Sequence, residues 1–124
     1  MVRTFDYIYI VATIGFTVYG QLILKWRINQ FDPLPAELTA KLKFLLLLLL
    51  DPAIFSGFAA AFLASLAWMA AMSRFELNHA YPFMSLNFVL VLILGGWLLS
   101  EPITLQRVMG ISLIVAGTVV AARA

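Results

Sequence analysis

Four apolar stretches, each long enough to cross a membrane, constrain this chain more than any other feature of its sequence. They span residues 7–26, 53–72, 79–99 and 103–122. A helix needs roughly 20 mostly apolar residues to cross the hydrocarbon core of a bilayer. Because every backbone polar group within lipid needs an internal partner, we expect all four stretches to be helical. The sequence therefore predicts an all-α integral membrane protein, a four-transmembrane-helix bundle formed by one membrane domain over residues 1–124.

The composition supports a membrane environment. Hydrophobic residues make up 64% of the chain and charged residues 11%, whereas about 25% of a soluble domain is charged. So few polar side chains cannot cover a core in water, and part of the surrounding solvent must be lipid. The eight Lys and Arg residues stand at the ends of the apolar stretches. They form no stripe that could follow a phosphate backbone, so we expect no nucleic-acid partner.

Residues 27–51 form the one long connection between the stretches. Two prolines open this connection and a run of leucines closes it. Residues 34–50 could form a short helix that lies in the membrane interface, or an N-terminal extension of the second span that bends at Asp51 and Pro52. We favour the interfacial helix. Asp51 ahead of Pro52 is typical of a helix start, and Thr104 is a candidate cap for the fourth span.

Basic residues are distributed unequally between the two ends of the spans. One end has Lys25, Arg27, Lys41, Lys43 and Arg107, and the other has Arg3, Arg74 and Arg123. Because cytoplasmic loops carry an excess of Lys and Arg, this bias favours both termini outside the cytoplasm. The bias is small, so dual insertion or a paired subunit of opposite orientation also fits.

The first span carries a polar stripe. Thr13, Thr17, Gln21 and Lys25 recur every four residues, and four residues advance a helix by about 400°. On the residues alone, the simpler interpretation is a helix-packing face, with Lys25 extending to the membrane edge. The alternative is a polar wall that guides a head group, with Lys25 holding an anionic phosphate.

The third span carries two further stripes of polar and aromatic residues. One contains His79, Phe83 and Asn87, and the other contains Tyr81, Ser85 and Phe88. Asn87 lies at mid-membrane depth and must find a partner, for which an interhelical hydrogen bond is the simpler account.

The second and fourth spans offer packing faces. Trp68 shares a face with Ser65 and Met72, which predicts either packing or the lining of an apolar cavity. Gly110, Gly117 and Ala121 lie on one face of the fourth span. Small residues allow helices to approach closely, so this face is a candidate dimer interface.

The chain carries no visible site for covalent chemistry. All six carboxylates fall at span edges or in connections, Cys is absent and the single His has no second ligand at helical spacing. We therefore expect no enzymatic activity, no metal and no cofactor. A buried carboxylate is the usual means of coupling transport to protons or of binding a cationic drug, so its absence disfavours both.

A family resemblance rests on two segments. Four spans in this order, with residues 20–22 (Gly-Gln-Leu) and Lys25 in the first, resemble the small multidrug resistance fold. Residues 80–88 (Ala-Tyr-Pro-Phe-Met-Ser-Leu-Asn-Phe) resemble the signature of EamA-like flippase subunits, which move aminoarabinose-phosphoundecaprenol across bacterial inner membranes. Residues 101–104 (Glu-Pro-Ile-Thr), followed by Gly110 and Gly117, continue that pattern.

This resemblance implies a dimerising four-helix subunit in the bacterial inner membrane, with a lipid-linked sugar as cargo. It also implies that the stripe of the first span and residues 81–87 face the substrate path. Proton-coupled drug exporters of this fold have a glutamate where this chain has Thr17, which disfavours drug antiport. The long connection over residues 27–51 departs from both groups.

The sequence as a whole favours a dimeric flippase subunit that moves a polyisoprenyl-phosphate-linked sugar, or a similar amphipathic lipid, between leaflets. The partner would be a second copy or another small four-span subunit. A small-molecule exporter of the same fold and a non-transporting scaffold for a glycosyltransferase are the alternatives. The candidate substrate-binding residues are Thr17, Gln21, Lys25, Trp68, His79, Tyr81, Ser85 and Asn87.

Overall fold

The computed structural model describes residues 4–123, and that part of the chain is helical without strands. Its α-helices are α1 (Tyr7–Ile28), α2 (Leu38–Leu48), α3 (Pro52–Met72), α4 (Leu77–Ala80), α5 (Leu86–Leu98) and α6 (Leu105–Ala122). Short 3₁₀ helices over Thr4–Asp6 and Tyr81–Ser85 precede α1 and join α4 to α5. Four helical runs within the described residues are long and apolar enough to span a membrane: Thr4–Ile28, Pro52–Met72, Leu77–Leu98 and Leu105–Ala122. The predicted all-α membrane fold is confirmed.

The centre of the structure is the pair formed by α1 and α3, which pack along each other more extensively than any other two helices. A Cβ atom on Gly20 would lie 3.0 Å from the carbonyl oxygen of Gly57. The two backbones therefore touch, and only glycine leaves room for this approach. Ala60 and Ala64 continue the buried face of α3 beyond Gly57.

The third membrane run is not one continuous α-helix, because Tyr81–Ser85 is wound as a 3₁₀ helix. Proline lacks a backbone N–H and crowds the preceding turn, so Pro82 favours such a break in the α-helical ladder. A 3₁₀ helix turns by about 120° per residue and an α-helix by about 100°. Side chains on either side of this segment therefore point in other directions than a regular α-helix would give.

The connection over residues 27–51 contains α2 as a helix of its own. Asp51 has an extended backbone and is the N-cap of α3, with Pro52 in the first turn. The chain thus breaks between α2 and α3, at the position where the sequence predicts a bend or a helix start. Leu48 is the one buried residue of α2.

The helix α6 lies at the periphery, and none of its residues is buried. It contacts the Tyr81–Ser85 segment and α5. Its predicted cap is confirmed, because the Thr104 hydroxyl accepts a hydrogen bond of 3.1 Å from the Arg107 backbone N–H.

Ion pairs close both ends of the α1–α3 pair. Arg27 pairs with Asp51 at one end, and Arg74 lies 3.8 Å from Asp6 at the other. Chain order places the end of α5 and the start of α6 at the Arg27 end. Arg3, which is predicted to lie at the opposite end, is outside the described residues.

Candidate functional site

A cavity of about 860 Å³ runs between α1, α3 and the Tyr81–Ser85 segment. Most of its wall is apolar, and the polar side chains on it are uncharged. Those from α1 are Thr13, Thr17 and Gln21, and those from the other elements are Ser65, Trp68, Tyr81, Ser85 and Asn87. Uncharged hydroxyl and amide groups suit a ligand that offers hydroxyl groups of its own.

A second cavity of about 620 Å³ lies between α1, α5 and α6. It shares four wall residues with the first cavity: Thr17, Gln21, Asn87 and Phe88. The two spaces therefore meet at a group of three polar side chains. The second cavity extends from this group towards the end of the bundle where Glu101 and Arg107 lie.

Asn87 stands at the junction of the two cavities. Its Oδ1 is buried and, among the described residues, is the one buried side-chain oxygen or nitrogen without a hydrogen-bond partner in the protein. An unsatisfied buried acceptor costs about 1–3 kcal/mol. The interhelical hydrogen bond expected for this oxygen is therefore not formed, and its accepting capacity is unused within the described residues.

Other polar side chains of the wall are already engaged. The Thr13 hydroxyl donates to the Tyr9 carbonyl oxygen at 2.7 Å, and the hydroxyls of Ser85 and Thr118 hydrogen-bond to each other. The second bond ties the 3₁₀ segment to α6, so it holds the wall on which Ser85 sits. Thr17 and Gln21 remain the polar groups of α1 that line both cavities.

The rim of the larger cavity is made of large, exposed side chains. Phe58, Met69, Tyr81 and Phe88 all line it and are more than half exposed. The Trp68 and Tyr81 rings meet edge to face with centroids 5.9 Å apart. The wall is therefore open on one side of the subunit, where lipid or a second subunit can reach it.

Two of the predicted site residues lie elsewhere. Lys25 is exposed and lines neither cavity. The His79 ring packs among Tyr7, Phe75 and Phe83, and its Nε2 lies 3.0 Å from the Tyr7 hydroxyl. His79 and Phe83 thus share a face that packs against α1.

The structure separates Asn87 from its predicted stripe on the third span. Regular α-helical spacing predicts that Asn87 shares a face with His79 and Phe83, and that prediction is wrong. The 3₁₀ turn between them rotates Asn87 onto the cavity wall, beside Ser85 and Tyr81.

The predicted dimer face of α6 is open in the single subunit. Gly117 has no neighbouring atom within 4 Å of an added Cβ, and Ala121 is exposed. Gly110 has equally open surroundings and also lines the smaller cavity.

Glu101 and Arg107 are the charged residues of the cavity walls, and neither is among the predicted site residues. The sequence predicts a helix start at residues 101–104, and these residues also belong to the family pattern. The signal available for them was a pair of opposite charges six residues apart, close to the start of the fourth span.

Comparisons with known proteins point to one kind of membrane transporter. The model of the EamA-like transporter family matches residues 4–123. A probable 4-amino-4-deoxy-L-arabinose-phosphoundecaprenol flippase subunit ArnE from Pseudomonas aeruginosa (strain UCBPP-PA14) is 33% identical over 119 residues, which cover 92% of this chain and 94% of that protein. A probable ArnF subunit of the same kind of flippase from Erwinia tasmaniensis is 36% identical over 103 residues, 79% of each chain. No solved structure matches.

Proposed function

The chain belongs to the EamA-like transporter family, and from this premise we propose that it is one subunit of a flippase for a polyisoprenyl-phosphate-linked sugar. It is a multi-pass membrane protein, and we place it in the bacterial inner membrane. The relatives that it matches over most of its length are named as subunits that move such a lipid. We therefore propose that this chain moves the same class of lipid.

The observation that carries the proposal is the junction of the two cavities at Thr17, Gln21 and Asn87. A sugar must lose its hydration shell to cross the membrane, and amide and hydroxyl groups can replace that water. The Asn87 Oδ1 is an acceptor without a protein partner, so a sugar hydroxyl that donates to it removes a cost already present in the fold. Binding at this point is therefore favoured without any buried charge.

The apolar part of the cargo follows a different route from its head group. The wall beside Phe58, Met69 and Phe88 is exposed, so a polyisoprenyl tail can stay in the bilayer while the sugar occupies the cavity. This division lowers the barrier to crossing without covalent chemistry. Ser85, Trp68 and Tyr81 would contact the sugar from the wall of the larger cavity.

We propose that the working unit is a dimer, because one subunit leaves the cavity wall open. The face of α6 that carries Gly110, Gly117 and Ala121 is unoccupied and has small residues where helices could approach closely. Relatives of both subunit types, ArnE and ArnF, match this chain. A heterodimer with a second four-helix subunit is the arrangement that we favour.

The test is reconstitution of the full chain into liposomes, alone and with a candidate second subunit. A radiolabelled polyisoprenyl-phosphate sugar is placed in one leaflet, and its appearance in the other is followed. We expect exchange above the rate of protein-free vesicles. An equal rate in every combination would contradict the flippase proposal and favour a scaffold that only presents the lipid to an enzyme.

A further inference from the structure

The smaller cavity has a charged mouth. Glu101 and Arg107 line it at the end of the bundle where α5 finishes and α6 begins. Within residues 4–123, the ion pairs join Arg27 to Asp51 and Arg74 to Asp6, and neither involves this mouth. Both charges of the mouth are therefore free of each other and can meet charges on a ligand.

Glu101 is exposed, and its backbone and carboxylate both lie against the end of α5. Its N–H donates to the Gly95 carbonyl oxygen at 3.3 Å. Its Oε1 lies 3.0 Å from the position that a Cβ on Gly95 would take, so the carboxylate rests against the glycine face of α5. The turn depends on Ser100, whose φ of 55° lies in the left-handed region.

Arg107 is fixed in a comparable way on the first turn of α6. One of its guanidinium nitrogens, Nη1, donates to the Pro102 carbonyl oxygen at 2.9 Å. A guanidinium has five N–H donors, so the remaining ones can bind an oxyanion, for which a bidentate geometry is favourable. Lys25 belongs to the same end of the bundle, yet it lines neither cavity.

We propose that Glu101 and Arg107 together select a head group that carries an ammonium group and a phosphate. This inference rests on the proposed function and deepens it. Glu101 binds the ammonium of an amino sugar, and Arg107 binds the phosphate that joins the sugar to its lipid. The uncharged residues Thr17, Gln21 and Asn87 then contact the sugar hydroxyls deeper in the same cavity.

The geometry suits such a cargo because the charges lie at the membrane edge. A lipid phosphate stays close to the interface, where a cation costs little to place. A carboxylate at the same mouth attracts an amine and repels a second acidic group. Preference for an amino sugar over its uncharged counterpart therefore follows from Glu101, and retention of the phosphate follows from Arg107.

Two lipid probes separate these roles. The first is radiolabelled 4-amino-4-deoxy-L-arabinose-phosphoundecaprenol, and the second is its N-acetyl derivative, which keeps the phosphate and loses the positive charge. Both are assayed in liposomes that contain the full chain, alone and with a second four-helix subunit. We expect the wild-type protein to move the amine probe about tenfold or more faster, the effect of one hydrogen bond between charged groups.

The variants assign that preference to its residues. Glu101→Gln keeps the shape of the side chain and should lower exchange of the amine probe about tenfold while changing the N-acetyl probe less than about twofold. Arg107→Gln should slow both probes. Glu37→Gln is the matched control, since this exposed carboxylate precedes α2 and lines neither cavity.

The outcomes distinguish this inference from the function on which it rests. A wild-type protein that moves neither probe above protein-free vesicles overturns the proposed flippase function. A wild-type protein that moves both probes equally overturns the charge selection alone, and this outcome needs no variant to fold. Equal losses on both probes in Glu101→Gln would overturn the role of Glu101 and leave the flippase function standing.

Discussion

Arg27 and Asp51 join the end of α1 to the start of α3 through a single nitrogen. The Arg27 Nε donates to both carboxylate oxygens, at 2.8 and 2.9 Å, across 24 positions of sequence. The Asp51 side chain is 9% exposed and that of Arg27 is 33% exposed. The pair therefore spans the boundary between the protein and the solvent, and it closes the long connection over residues 27–51.

The Arg27–Asp51 pair predicts a measurable loss of stability on neutralisation. Asp51→Asn keeps the shape of the N-cap residue but removes the charge, and we expect the free energy of unfolding in detergent to fall by about 1–2 kcal/mol. Asp32→Asn, an exposed carboxylate of the same connection, should change it by less than about 0.5 kcal/mol. Equal effects of the two substitutions would contradict a specific role for the pair.

The contact between α1 and α3 predicts opposite effects for two glycines of the same helix. A Cβ on Gly20 would press against the Gly57 backbone, which cannot rotate away, so Gly20→Ala should cost about 1–3 kcal/mol. Gly15 has no neighbour within 4 Å of an added Cβ. Gly15→Ala should therefore be neutral or stabilising by up to about 1 kcal/mol, through helix propensity. Thermal unfolding of both variants in one detergent checks the contrast.

The helices were predictable because lipid leaves a chain few alternatives. Length and apolarity alone indicate four spans, and Asp51 ahead of Pro52 indicates where α3 begins. The Asp51 side chain, however, makes no capping hydrogen bond and pairs with Arg27 instead. Sequence spacing identifies a position at a helix end, but it does not identify a partner from another helix.

The arrangement around the cavities was less predictable, because it depends on two local departures from regular geometry. The 3₁₀ turn over Tyr81–Ser85 decides that Asn87 faces the cavity and His79 does not. The left-handed backbone conformation of Ser100 turns the chain so that the Glu101 backbone N–H donates to the Gly95 carbonyl oxygen of α5. Neither departure has a regular sequence period, so α-helical spacing misplaces the residues that follow it. The close contact of Gly20 with Gly57 was not predicted either, because the spacing of small residues within one helix does not identify their partner on another.

The open face of α6 predicts how assembly can be separated from folding. Gly117→Leu adds a side chain where no atom lies within 4 Å, so the folded subunit should be unaffected. If this face is the dimer interface, the leucine side chain keeps the α6 helices of the two subunits apart. The dimer fraction in detergent should then fall several-fold. Gly15→Leu is the control on α1, where the surroundings are equally open. A dimer fraction that falls equally in both variants would contradict a dimer interface on this face of α6.

Asn87 predicts a substitution that improves stability and impairs function together. Its Oδ1 is buried without a protein partner, and such an acceptor costs about 1–3 kcal/mol. Asn87→Leu removes this cost, and the adjoining cavities leave room for the apolar side chain. We expect the free energy of unfolding to rise by about 1 kcal/mol while exchange of a polyisoprenyl-phosphate sugar in liposomes falls at least tenfold.

The matched control for Asn87 is a polar residue of the same helical run that lines neither cavity. Asn78 is exposed in α4 and meets this condition, so Asn78→Leu should leave both stability and exchange nearly unchanged. A structural role for Asn87 predicts the opposite pattern, with a less stable Leu variant whose loss of exchange follows the loss of folded protein. Measuring both quantities on one preparation separates these cases, because only a ligand-binding acceptor makes the more stable variant the less active one.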